Sequence, residues 1–354
     1  MFYNTSCTPL FRQKSALRLL TFMQNGRIML IEKRFDTMDP WMILLIVLGG
    51  VVLLALLTAF ICFMKVFYSP KREPKRPDVY PVPAGGIYEL YHERMIEWMK
   101  RARAMPRERM EITSHDGKKL VGYYYEYEKG APIEILFHGY QGDGERDLSG
   151  GIDRCFRIGR SAVIVDQRAH GESDGSVCTF GIKERLDCVA WANHIANRFG
   201  DDAKIILTGV SMGAATVMLA AGEALPKNVV SVLADCGYSS AKEIIIKVID
   251  DMKLPSKLLY PFVKLGARIF GGFDLEETSP MEAVKKTKLP IIFIHGDNDE
   301  FVPCSMSQML YDACGADHKR LVFIEGAGHG LAFPQDEEKY LTALLDFEKE
   351  AKFI

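Results

Sequence analysis

Three side chains of the types that together could perform nucleophilic acyl transfer stand far apart in this chain: Ser211 in "GVSMGA", Asp299 in "HGDNDEFVP" and His329 in "GAGHG". A serine hydroxyl attacks a carbonyl carbon only when a base takes its proton during the attack. An imidazole can take and return that proton near neutral pH. A carboxylate on its far nitrogen sets the tautomer and stabilises the imidazolium. Asp297 and Glu300 share a segment with Asp299, and Asp235 closes the run "SVLAD" as a rival acid. Asp299 is preferred because it leaves room for the turn at Gly296 and precedes Val302-Pro303, the start of the next helical stretch.

Ser211 lies two residues beyond the apolar run "KIILTG", with Gly209 and Gly213 on either side and Ala214 and Ala215 following. A sharp strand-to-helix turn that presents a nucleophile leaves no space for side chains at those glycines. Such chemistry also needs two backbone N–H groups aimed at the developing oxyanion. The residue after the nucleophile, Met212, supplies one, and the loop "HGYQG" supplies the other through Tyr140, whose hydroxyl could add a further donor or gate the pocket.

Eight segments must position these groups: "MEITSH", "KLVGYYYEY", "PIEILFH", "SAVIVDQ", "KIILTG", "VVSVLAD", "PIIFIHG" and "KRLVFIEG". The first two form a hairpin around Asp116-Gly117. The later runs are β-rich without polar alternation and are each followed by a helical stretch or a long insertion, which points to strands buried on both faces and a mostly parallel sheet covered by helices. Ser211, Asp299, His329 and Tyr140 all fall just beyond strand C-termini, the edge where such sheets bind ligands. The long insertion at residues 239–288 contains "KLLYPFVKLGARIFGGF"; its Leu258, Leu259, Tyr260, Phe262, Leu265 and Phe270 either line an acyl pocket or pack on the domain beneath. His138, Arg168 and His170 read as residues that order their own turns.

Four regions follow: an N-terminal segment at 1–40, a transmembrane helix at 41–64, a basic proline-rich linker at 65–86 and a globular domain at 87–354. The stretch 41–64 carries no charge, and 24 helical residues at about 1.5 Å each span a hydrocarbon core of about 30 Å. Lys65, Lys71, Arg72, Lys75 and Arg76 follow it, against Arg27, Lys33 and Arg34 before it, so the positive-inside rule puts the large domain on the cytoplasmic face of the cell membrane. The first 37 residues show no targeting pattern, and Met38 reads as an ordinary start for a membrane-anchored chain. Eight scattered cysteines fit a reducing compartment, although their even number also permits disulfides. A net charge of −2 gives no basic surface for nucleic acid. "GDGERD" lacks the third glycine of a dinucleotide loop, and neither a P-loop nor H-E-x-x-H occurs, so no cofactor or metal is implied.

"HGYQG", "GVSMGA", "HGDNDEFVP" and "GAGHG", in that order between predicted strands, resemble the α/β-hydrolase superfamily, in particular its serine-aminopeptidase-like and monoacylglycerol-lipase-like branch. The resemblance runs from about residue 108 to the C-terminus, and the whole chain is similar to a bacterial membrane-anchored α/β-hydrolase. "DQRAHGESDG" is similar to the family segment Asp-x-Arg-Gly-His-Gly-x-Ser, with Ala169 in place of a glycine. The resemblance implies an α/β-hydrolase fold with a small helical cap over the site. The expected activity is hydrolysis of a small-molecule ester or related acyl substrate through an acyl-enzyme on Ser211. A peptidase or amidase on the same three residues is the nearest alternative, because pocket contacts set the leaving group. A catalytically silent membrane-tethered binding module is a third.

Overall fold

The computed structural model describes residues 39–70 and 76–352; the segment before Asp39, with Met38, and the basic residues Lys71, Arg72 and Lys75 lie outside the described residues. By its contacts the chain divides into Met1–Leu54 and Ala55–Ile354. Eight strands form one sheet: β1 (Glu108–Thr113), β2 (Lys119–Tyr125), β3 (Ile133–Phe137), β4 (Ser161–Asp166), β5 (Ile205–Val210), β6 (Val229–Asp235), β7 (Ile291–Gly296) and β8 (Lys319–Ile324). Their order is β1-β2-β4-β3-β5-β6-β7-β8. β1 and β2 are antiparallel, as are β2 and β4, and the pairs from β4 through β8 are parallel. Each strand falls on one of the eight runs read from the sequence. β3, β4 and β7 are buried at every position, which explains why those runs show no polar alternation.

The helices are α1 (Pro40–Val66), α2 (His92–Ala104), α3 (Gly144–Arg157), α4 (Glu184–Phe199), α5 (Met212–Ala220), α6 (Ala241–Asp251), α7 (Ser256–Ile269), α8 (Pro280–Lys286), α9 (Ser305–Ala313), α10 (Ala332–Gln335) and α11 (Glu337–Ala351). Several start where short polar side chains cap them: Asp143 accepts from the N–H groups of Glu145 and Arg146, Ser240 from Glu243, and Ser279 from Glu282. α5 is buried along its whole length, which its run of Gly213, Ala214 and Ala215 permits by letting the backbone approach the sheet. This is the α/β-hydrolase architecture, with α6, α7 and α8 filling the long insertion.

α1 is long and apolar enough to cross a membrane. Its apolar side chains up to Leu54 are exposed, whereas Ala59 and Phe63 are buried and Phe67, just beyond its end, has no exposure at all. Phe67 meets Phe180 and Phe273 edge-on at 5.8 and 5.3 Å. Its carbonyl accepts from the Cys178 N–H (2.9 Å), and the Ser69 N–H donates to Ser176 (2.9 Å). Residues 67–69, placed in the linker by sequence, are thus packed and hydrogen-bonded within the Ala55–Ile354 unit.

Candidate active site

β5 delivers Ser211 into a backbone conformation of φ +57° and ψ −116°, which a non-glycine residue adopts only when its surroundings enforce it. Two contacts enforce it. A Cβ on Gly209 would lie 2.0 Å from the Gly213 backbone, and one on Gly213 would lie 2.0 Å from the Phe137 carbonyl oxygen. The Ser211 N–H donates to the Asp235 carbonyl (2.8 Å), pinning the turn to β6.

The Ser211 hydroxyl donates to His329 Nε2 at 2.9 Å. His329 Nδ1–H donates to Asp299 Oδ2 at 2.7 Å. Asp299 is buried and held from every side: its Oδ1 accepts the N–H groups of Phe301 (2.9 Å) and Val302 (2.8 Å), and its Oδ2 also accepts from His295 Nε2 (3.1 Å). Burial alone would raise the Asp299 carboxyl, but the hydrogen bonds from His295 and His329 outweigh it and hold the pKa well below the usual carboxylate range. The rival acid, Asp235, accepts instead from the Tyr340 hydroxyl (2.9 Å); burial raises its pKa.

Two residues that sequence reading passed over complete this arrangement. His295 is wholly buried at the end of β7, four residues before Asp299. Its Nδ1 accepts from the Ser307 hydroxyl (2.6 Å), and its Nε2–H faces both Asp299 and the Val302 carbonyl (2.9 Å). A polar residue closing an otherwise apolar strand was the available signal. Tyr88, from the 3₁₀ turn Gly86–Tyr91, donates its hydroxyl to the His329 carbonyl (3.0 Å) across 241 positions of sequence, a distance at which no pattern could have found it.

Met212 opens α5, whose first N–H groups have no acceptor within the helix. Gly139, beside Tyr140, is held by its N–H on Asp147 Oδ2 (3.2 Å), and a Cβ on Gly139 would lie 3.5 Å from Ser211 Cβ. The Tyr140 hydroxyl turns away from this chemistry: it donates to the carbonyl of Val66 at the end of α1 (2.8 Å) and accepts from Gln141 Nε2 (3.1 Å). A cavity of 220 Å³ opens at Ser211 and His329, bounded by Tyr88, Gly139, Tyr140 and Phe301. None of the six apolar cap residues singled out from the sequence lines it; Tyr260 instead belongs to the apolar cluster that holds Phe63 and Phe67, and Leu259 packs against that cluster. His138 Nε2 accepts from the Gln167 N–H (3.0 Å), Arg168 pairs with Asp187 and Asp116, and His170 Nδ1 bonds the Arg168 carbonyl (2.9 Å), so His170 orders its own turn while His138 and Arg168 tie theirs to neighbouring segments. Ala169 adopts φ +64°, a left-handed conformation that glycine would hold without strain.

Cys236, Asp299 and His329 place possible metal-ligand atoms within 4.8 Å of one another. Both imidazole nitrogens of His329 are already engaged, by Ser211 and Asp299, and burial pushes the Cys236 thiol well up, away from the thiolate that a metal requires. That donor set suits proton transfer better than metal binding.

Comparison with known proteins agrees with the topology. A family model described as alpha/beta hydrolase fold matches residues 135–279, and one described as serine aminopeptidase, S33, matches residues 278–336. The Bacillus subtilis protein YqkD is 27% identical over 237 residues, covering 67% of this chain and 77% of its own. A membrane protein of Saccharomyces cerevisiae is 25% identical over 256 residues, covering 72% of this chain and 83% of its own. Among solved structures, an esterase of Pyrococcus furiosus superposes with a TM-score of 0.58 at 23% identity, over 71% of this chain and 93% of that one. Est1E of Butyrivibrio proteoclasticus, solved with ferulic acid, superposes with a TM-score of 0.51 at 21% identity, over 68% and 98%. With the sheet order, the Ser211 turn and these matches together, the chain has the α/β-hydrolase fold and is similar to members of the α/β-hydrolase superfamily.

Proposed function

We propose that this protein is a membrane-anchored serine hydrolase that cleaves a carboxylic ester or related acyl compound through an acyl-enzyme on Ser211. The observation that carries the reading is the unbroken hydrogen-bond chain from the Ser211 hydroxyl through His329 to a carboxylate held ionised by its surroundings. Ser211 Oγ attacks the carbonyl carbon as its proton passes to His329 Nε2. The imidazolium is stabilised by Asp299, and the oxyanion lies against the N–H groups of Met212 and Tyr140. Collapse of the tetrahedral species releases the alcohol, which takes the proton from His329. Water then attacks the acyl-enzyme by the same route, releasing the acid and restoring Ser211. The 220 Å³ cavity is smaller than the roughly 300–1,000 Å³ of drug-sized sites and favours a small substrate group. Amide cleavage is the second reading, favoured by the serine aminopeptidase match across the segment that holds Asp299 and His329. α1 anchors the chain in the cell membrane, and the basic residues after it keep the hydrolase domain on the cytoplasmic side.

A fluorophosphonate probe should label the wild-type protein covalently, and Ser211→Ala should abolish both labelling and turnover on an ester panel. Undiminished labelling of Ser211→Ala would overturn the assignment.

A further inference from the structure

We propose that α7 is an interfacial helix, lying in the boundary between headgroups and acyl chains of the same leaflet that α1 leaves, and that its ligand is a bilayer containing anionic lipid. This rests on reading α1 as a membrane span. α7 divides lengthwise into four faces. Tyr260, Val263 and Ala267 are buried in the domain. Gly266 and Phe270 meet the last turns of α1: a Cβ on Gly266 would lie 2.5 Å from the Ala59 carbonyl oxygen, and the Phe270 ring sits 5.2 Å from Phe60 and 5.9 Å from Phe63. Leu258, Phe262, Leu265 and Ile269, spaced four, three and four apart, form the next stripe; Leu258 is 61% and Ile269 50% exposed. Lys257, Lys264 and Arg268 occupy the remaining face.

The height of that apolar stripe follows from its neighbour. Ala59, Phe60 and Phe63 belong to the uncharged run that ends at Met64, so the part of α7 that touches them lies level with the last turns of the span. Exposed Ile269 there meets acyl chains and not water, and a helix lying in the plane of the leaflet holds Leu258 at the same depth. Met252 and Leu254, both exposed, extend the apolar surface beyond the start of α7. From Lys247 to Phe270 five basic residues stand against two acidic ones, Asp250 and Asp251, which suits an anionic leaflet. Lys247 pairs with Asp251, Lys264 with Glu276 and Arg268 with Asp274, leaving Lys253 and Lys257 to flank the exposed stripe at its N-terminal end. The hydrogen bond from Tyr140 to Val66 ties the loop beside Ser211 to the end of α1.

The test uses the full chain in phosphatidylglycerol-containing vesicles, with a genetically encoded fluorescent residue at one position at a time. Position 258 probes α7, position 53 the exposed flank of α1, and position 129 the turn before β3, at the opposite edge of the sheet from Ser211. Lipids brominated on the acyl chain should quench positions 53 and 258 several-fold more than position 129, and pure phosphatidylcholine vesicles should weaken the effect at 258 only. Quenching at 53 without quenching at 258 overturns the interfacial helix while the membrane anchor stands. A position 258 shielded from both aqueous iodide and brominated lipid would mean that protein, such as a second copy, covers this face, which also overturns it. No quenching at 53 removes the membrane reading and this inference together.

Discussion

Replacing Asp299 by asparagine isolates the contribution of one oxygen atom. Oδ1 of Asp299 accepts two backbone N–H groups at 2.9 and 2.8 Å, so the asparagine oxygen should keep that position and turn its NH₂ toward His329 and His295. An NH₂ facing His329 Nδ1 requires that nitrogen to accept, which moves the imidazole proton to Nε2, against the Ser211 hydroxyl it should deprotonate. The wrong tautomer costs about 10³ to 10⁴-fold in rate, or about 4–5.5 kcal/mol at 1.36 kcal/mol per decade. The same NH₂ meets His295 Nε2–H, a donor against a donor, which adds about 1–3 kcal/mol of lost stability. The assay is kcat/KM on a soluble ester, with thermal unfolding measured in parallel so that loss of fold is not mistaken for loss of chemistry. Asp235→Asn is the internal comparison: its carboxylate bonds Tyr340 and not His329, so its rate should fall by less than about tenfold. A folded Asp299→Asn within tenfold of wild type, or a larger loss in Asp235→Asn, would refute the reasoning.

Gly213→Ala should lose about 3 kcal/mol or more, because a Cβ 2.0 Å from the Phe137 carbonyl meets backbone that no rotamer change can move; wild-type thermal stability in this variant would contradict the packing at the Ser211 turn. Phe67→Ala should cost about 3–5 kcal/mol in denaturant unfolding, since the ring is wholly buried against Phe180 and Phe273, and a chain beginning after residue 85 should be destabilised for the same reason. The depressed pKa of Asp299 contributes stability that is complete above the unfolded-state value of about 3.9 and declines as pH falls toward the folded value. The stability gap between wild type and Asp299→Asn should therefore narrow between about pH 5 and pH 2, and a constant gap would show that the carboxylate is not selectively stabilised in the fold.

The eight strands were legible because a strand buried on both faces needs an unbroken apolar run, and that demand acts on every residue of β3, β4 and β7. The turn at Ser211 was legible for an equally local reason: Gly209 and Gly213 sit where backbone approaches within a Cβ's radius, and only one residue type fits. The choice among acids was of another kind. Asp235, Asp297 and Asp299 all lie at or just beyond strand ends, and only the tertiary structure puts Asp299 Oδ2 2.7 Å from His329 while Asp235 faces Tyr340 and Asp297 accepts from the Gly326 N–H. Which way a carboxylate points depends on the few dihedral angles after its strand, and composition carries no trace of them. The Tyr88 bond to His329 and the burial of Phe67 were likewise out of reach, because each joins segments more than a hundred positions apart. The uncharged run of α1 announced, by hydropathy alone, a helix long and apolar enough to cross a membrane, yet that measure treats all its turns alike. That Ala59 and Phe63 are buried is decided by the surface that α7 presents to them.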